Sequence, residues 1–344
     1  MERMPGMLAA IPILAAAVFP AQAQETVEAF YKGKQISLIV GSPPGGGYDF
    51  FARLVGRHLG RFIPGTPLVV VRNMPGGGGN TAAAHVATAA AKDGTVIGAL
   101  QAGNVTDQLT SIHAAQIRHD ARRFNYIGSA SSEVMVCLTR SDAPFKSIED
   151  LREREILMGS SGGTTGDMPM ALKNILGLKI RLVTGYSGTR DMTLAVDRGE
   201  VQGFCGLGFN SLKSMRPDWL EKGSVRILLQ EAIKGDADLT RQGIPVSINM
   251  ATSEEQRQMF ALLYSQGIYS RPYVLAGEVP VERVAAMRAA FLKTLADAQL
   301  LEEADKQKIV VTAIGGEQMQ AAVNQLYQTP AGAIEKLKLA IAPP

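Results

Sequence analysis

One unit recurs along this chain: a short apolar run, a turn dense in glycine, then a segment with helical apolar spacing. Residues 35–40 (Gln-Ile-Ser-Leu-Ile-Val) run into Gly41-Ser-Pro-Pro-Gly-Gly-Gly47 and a helix expected over 49–62. Asp49 is placed to cap that helix, and Phe51, Leu54, Val55 and Leu59 share one face. A strand over 67–71 leads through the turn 73–79 into an Ala-rich helix over 80–91, followed by a strand at 95–100, a loop around Asn104 and a strand near 126–129. Alternation of this kind builds sheets of mainly parallel strands with helices on both faces.

A second block follows. Strands over 134–139 and 155–158, with a short helix at 148–152 between them, lead to a third glycine turn, Gly159-Ser-Ser-Gly-Gly-Thr-Thr-Gly166, and a helix through Leu172 and Leu176. The pattern repeats with a strand at 181–183, the turn Tyr186-Ser-Gly188, a helix over 192–198 and a strand over 201–205. After a strand at 225–229 it turns helical, near 254–265, 280–296 and 316–327. A chain of 344 residues exceeds what one core readily supports, so two domains are expected, with no low-complexity linker to mark the boundary.

Composition narrows the class. With 46% hydrophobic and 19% charged residues the chain is an ordinary globular protein. A balance of 35 basic to 32 acidic residues offers no footprint for a nucleic acid. Met1–Met7, the apolar run 8–19 and Pro20-Ala21-Gln22-Ala23 form the pattern of a signal peptide, residues 1–23, cut near Ala23. Export disfavours ATP and NAD chemistry and permits disulfides. Two cysteines exclude a four-Cys zinc site; Cys137 and Cys205, both in strand-like runs, are either one disulfide or two buried thiols.

Each enzyme motif that glycine turns suggest lacks a part. A phosphate-binding P-loop needs Gly-Lys-Ser/Thr, whereas Gly45-Gly-Gly47 is followed by Tyr48-Asp49. Gly77-Gly-Gly79-Asn-Thr-Ala82 satisfies the dinucleotide pattern, yet no acid for the ribose follows the next strand at Leu100-Gln101. Gly159-Ser-Ser161-Gly-Gly163 fits a nucleophile elbow, but His58, His85, His113 and His119 all precede Ser161, the wrong chain order for an α/β-hydrolase. Histidine spacing fits no metal site, so neither a metal nor a cofactor is expected. Binding remains: main-chain N–H groups of glycine turns at helix N-termini are ready anion sites, and Pro43–Asp49 and Ser160–Thr165 are the leading candidates.

At this point the chain resembles a family. Ser42-Pro-Pro-Gly-Gly-Gly-Tyr-Asp49, Asn73-Met-Pro-Gly-Gly-Gly-Gly-Asn80, Pro144-Phe-Lys-Ser147, Gly185-Tyr-Ser-Gly188 and Gly199-Glu-Val-Gln-Gly203 are similar to motifs of the Bug/TctC family, the periplasmic receptors of tripartite tricarboxylate transporters. The resemblance implies a two-lobed α/β binding protein, type II-like, each lobe a mainly parallel sheet flanked by helices around a ligand cleft. Lobe one would comprise 25–128 plus 226–344 and lobe two 129–225, with hinges near Ser129 and Val225. It also implies a small carboxylate held by Ser42, Pro43, Pro44, Gly45, Gly46, Gly47, Tyr48 and Asp49 from one side. Ser160, Ser161, Gly163, Thr164 and Thr165 would hold it from the other, with Tyr186, Ser187, Gly188 and Asn104 bordering the cleft. The implied partners are a membrane permease, met transiently by a monomer; a sensor kinase as partner, or an exported hydrolase using Ser161, are the alternatives. Tyr48, Asp167-Met168 and Arg190 depart from the family pattern where ligand size and polarity would be read.

Overall fold

The computed structural model describes residues 1–2, 25–111 and 114–342. The expected cleavage point near Ala23, the signal peptide beyond Glu2 and His113 lie outside the described residues. Eleven strands among these are β1 (Gln35–Val40), β2 (Leu68–Asn73), β3 (Val96–Ala99), β4 (Asn125–Ser129), β5 (Met135–Arg140), β6 (Ile156–Gly159), β7 (Ile180–Val183), β8 (Gly203–Gly208), β9 (Val225–Glu231), β10 (Pro272–Leu275) and β11 (Ile314–Gly315). They form two sheets, ordered β11-β4-β10-β3-β1-β2 and β7-β6-β8-β5-β9.

The expected α/β architecture with two lobes is present, and the sheets are mixed. β1 pairs in parallel with β2 and β3, and β6 with β7 and β8. The reversed strands are β10 and β11 in the first sheet and β5 in the second. Period-two alternation places side chains on both faces of each sheet. Ile36, Leu38 and Val40 of β1 pack with Phe51, Leu54 and Val55 of the helix Gly47–Leu59, while Ile39 faces Ala82, Ala83 and Val86 of the helix Asn80–Thr88. In β5, Met135 and Cys137 face the helices Thr164–Leu176 and Glu254–Tyr264, and Val136 and Leu138 face the helix Thr189–Arg198. Cys137 and Cys205 sit on the antiparallel neighbours β5 and β8 and are joined as a disulfide.

The expected division at residue 225 is corrected. β9, which spans 225–231, pairs along its whole length with β5 and belongs to the second sheet. Leu228 and Leu229 pack with Cys137, Phe260 and Leu263 there, so the helix Glu254–Tyr264 also covers the second sheet. The chain passes from the first sheet to the second over 130–134 and returns over 268–271. These crossings are bonded to each other: Glu133 N–H donates to Gly267 O (2.8 Å), Ala130 N–H to Arg271 O (3.0 Å) and Ser270 N–H to Ser131 O (3.1 Å). A third crossing follows the helix Gly316–Leu326, after which the helix Ala331–Ile341 puts Leu337 and Ile341 into the core of the second sheet. The second crossing, expected near Val225, therefore lies at 268–271.

Candidate functional site

A cavity of about 780 Å³ opens between the two sheets. Its wall is made from the segments that leave the carboxyl ends of β1, β2, β6, β7 and β8, the position where open α/β sheets present their binding loops. Of the residues expected at the site, Ser42, Pro43, Pro44, Gly46, Gly47 and Tyr48 line it from the first lobe. Ser161, Thr164, Thr165, Tyr186, Ser187 and Gly188 line it from the second. The lobes meet at both ends of the cleft: a Cβ on Gly78 would lie 3.7 Å from Gly163 N, and one on Gly188 would lie 3.4 Å from Pro43 Cγ.

Five helices start at this wall, Gly47–Leu59, Asn80–Thr88, Thr164–Leu176, Thr189–Arg198 and Phe209–Met215. Each has glycine at its N-cap (Gly46, Gly79, Gly163, Gly188, Gly208), and none has a side-chain cap. First-turn N–H groups have no carbonyl of their own helix to bond. Among the described residues, the N–H groups of Gly46, Gly47, Tyr48, Thr164 and Thr165 have no acceptor. Two 13-residue helices thus direct unpaired donors and the positive ends of their dipoles into one space from opposite sides.

Five expected residues support these turns from behind. Asp49 is only 3% exposed and sits in the helix's first turn, so it is not the N-cap. Its carboxylate accepts from Gly45 N–H (2.9 Å), Arg53 Nε (3.0 Å) and Asn73 Nδ2 (2.8 Å). Burial pushes its pKa up, but those three bonds outweigh it and hold the carboxyl below the usual range. Asn104 stands in the helix Gly103–Thr110, where a loop was expected, and is 1% exposed. Its Oδ1 accepts from Gln101 N–H (3.0 Å) and its Nδ2 donates to Gly78 O (3.0 Å), tying the second glycine turn to the third strand's exit. Gly79 must be glycine here, with φ +94° and a Cβ that would stand 2.5 Å from Asn104 Oδ1. Ser160 Oγ accepts from Gly162 N–H (3.1 Å), Gly163 caps its helix, and Gly45 anchors its turn to Asp49.

The cavity floor holds a side chain that the sequence did not signal. Arg271 is buried, and its Nη2 contacts Ser211 Oγ (2.6 Å) and Glu133 Oε1 (2.9 Å), whose own side chain is fully buried. The guanidinium carbon lies 4.2 Å from the Tyr48 ring centre, and the Tyr48 hydroxyl accepts from Ala102 N–H (3.2 Å). Burial raises the Tyr48 pKa, so the ring stays neutral. Gly47 makes room for this cluster: a Cβ there would lie 2.8 Å from Ser211 Oγ. The second glycine turn, Gly76 to Gly79, and Gln101 also line the cavity, and the turn's strand-to-helix position was the available signal for it. Arg271 lies in a four-residue return segment between a helix and a short strand, which carries no pattern at all.

Ser161 does not meet a base. Its Oγ lies 3.3 Å from Thr165 Oγ1, and none of the described histidines lines the cavity. Behind the Gly78–Gly163 contact, Asp167 and Asp107 line a second space from opposite lobes. Burial pushes Asp107 up to about 6, and burial with the Asp107 charge pushes Asp167 up to about 8. Among the described residues no group of three His, Cys, Asp or Glu side chains could hold a metal ion, and no helix is long and apolar enough to cross a membrane.

The sequence matches no protein-family model and no curated protein. Solved structures do match. The periplasmic binding protein BugD is similar over 89% of this chain and 98% of its own, at 19% identity and a TM-score of 0.71. A TctC solute-binding protein from Polaromonas covers 89% and 99%, at 19% identity and a TM-score of 0.60. MatC from Rhodopseudomonas palustris, solved with bound malate, covers 90% and 99%, at 16% identity and a TM-score of 0.66. These likenesses accord with the motif resemblance: this chain has the fold of the TctC and Bug periplasmic solute-binding proteins.

Proposed function

We propose that this protein is an exported, periplasmic receptor that binds a small carboxylate and hands it to a membrane permease of the tripartite tricarboxylate type. It acts as a monomer and performs no chemistry on its ligand. The observation that carries this reading is the pair of uncapped helix N-termini, Gly46–Tyr48 and Thr164–Thr165, whose N–H groups, unpaired among the described residues, face one cavity from two lobes. A carboxylate offers several lone pairs to such donors and gains from both dipoles. The malate bound by MatC, which shares the fold, is a ligand of this chemistry. Lobe one is taken as about 25–129 with 272–326 and lobe two as about 135–267 with the last helix. Closure about the paired crossings at 130–134 and 268–271 is the signal a permease would read. No observation favours the hydrolase or the sensor-kinase partner.

The test is a thermal-shift screen of small mono- and dicarboxylates on protein refolded from denaturant, which strips any co-purified ligand. A hit at a hundredfold excess over Kd should stabilise by about 2.7 kcal/mol. Small-angle scattering should show compaction with the same acid. A screen in which no carboxylate raises the melting temperature contradicts the reading. Pull-down of permease loops by the liganded form tests the transport partner separately.

A further inference from the structure

We infer that Arg190 completes the anion subsite of the first lobe from across the cleft, so that the ligand's charge itself draws the lobes together. This rests on the receptor reading above. Arg190 belongs to the second lobe, at the second position of the helix Thr189–Arg198, and it lines the 780 Å³ cavity. Its side chain reaches the opposite lobe: Cδ and Nη1 both lie 3.6 Å from where a Cβ on Gly45 would stand. Gly45 directly precedes Gly46, Gly47 and Tyr48, whose N–H groups are unpaired among the described residues. One lobe therefore supplies main-chain donors, and the other lays a guanidinium beside them.

The charge pattern shows why this arginine differs from its neighbours. Three charged side chains line the cavity: Arg190, Asp191 and Arg271. Arg271 is matched by Glu133, and the Asp191 carboxylate accepts the Ser187 hydroxyl. Among the described residues, the Arg190 guanidinium makes no hydrogen bond or ion pair. It also stands in the first turn of its helix, where the dipole disfavours a cation, so the helix gains nothing from it. A carboxylate held at Gly46–Tyr48 would relieve both conditions at once. Guanidinium donors match carboxylate oxygens in a planar fork, which a lysine ammonium does not.

The experiment compares wild type, Arg190→Gln and Arg190→Lys by thermal shift and calorimetric titration. The probes are malonate, succinate, glutarate, adipate, butyrate and hexanoate, with succinamide as a neutral control. Every acid that binds wild type should bind Arg190→Gln roughly 10- to 100-fold more weakly, the range of a charge-assisted hydrogen bond. Arg190→Lys should recover part of the loss. The unliganded melting temperatures should agree, because Arg190 is exposed and, among the described residues, unpaired. Rising salt should weaken wild type more steeply than Arg190→Gln, and only wild type should compact fully in scattering. Equal affinity in wild type and Arg190→Gln overturns the inference and leaves the receptor reading standing. Failure of every acid to bind wild type overturns the receptor reading, and the inference falls with it.

Discussion

Arg271 and Glu133 meet at 2.9 Å with both side chains almost wholly buried, and each comes from a different chain crossing between the lobes. The same guanidinium touches Tyr48 of the first lobe and Ser211 of the second, so one ionic contact ties the two crossings to the cavity wall. Removing one member of a buried pair strands the other charge, at a cost of about 3–5 kcal/mol. Arg271→Ala should therefore lower stability in urea unfolding by that amount. Glu133→Gln combined with Arg271→Met should lose much less than the two single changes summed. Additive losses would show that the two groups are not coupled.

Asp49 holds the first glycine turn without facing the cavity. Asp49→Asn keeps the shape but removes an acceptor from Gly45 N–H, and should cost about 1–3 kcal/mol at neutral pH. The folded protein holds this carboxyl below its ordinary 3.8. Its contribution is thus fully present above the unfolded value, and is lost as pH falls through the lower folded one. Chemical denaturation at pH 7 and at pH 3 should show the gap between wild type and variant closing at the acid end. A gap independent of pH would contradict the role given to the charge.

Glu231 predicts the opposite slope. It is buried at the end of β9, accepts one bond from Gly206 N–H (2.7 Å), and burial pushes it from 4.5 up to about 8. A raised carboxyl favours the folded state while protonated, so stability falls as pH rises from about 4.5 towards about 8. One proton corresponds to a slope of at most about 1.4 kcal/mol per pH unit. Glu231→Gln should flatten that slope and be the more stable protein at pH 8. Parallel pH profiles for the two proteins would contradict it.

Much of this was legible in the sequence because local chemistry wrote it there. The runs at 35–40 and 155–158 and the turns after them each declare a strand, a glycine turn and a helix within about thirty residues, and all appear in place. The return segments were not legible. β10 is four residues, Pro272–Leu275, and pairs antiparallel with β3 and β4, strands more than 140 positions away. β9 joins the second sheet through Leu228 and Leu229, whose apolar character fits either lobe. At the site, the turns Ser42–Tyr48 and Ser161–Thr165 were identifiable because free N–H groups at helix starts are a local property. Arg271 was not, since its meaning comes from Glu133 and Tyr48, which only the fold brings to it.

If main-chain N–H groups at the helix starts hold a carboxylate, Thr164→Pro removes one such donor at a single atom. Thr164 is the first residue of its helix, where proline is well tolerated, and its N–H has no acceptor among the described residues. The measurement is a calorimetric titration of wild type, Thr164→Ala and Thr164→Pro with the acid that stabilises wild type most. Thr164→Ala should bind like wild type, while Thr164→Pro should bind at least roughly tenfold more weakly at an unchanged melting temperature. Equal affinity for all three proteins would contradict it.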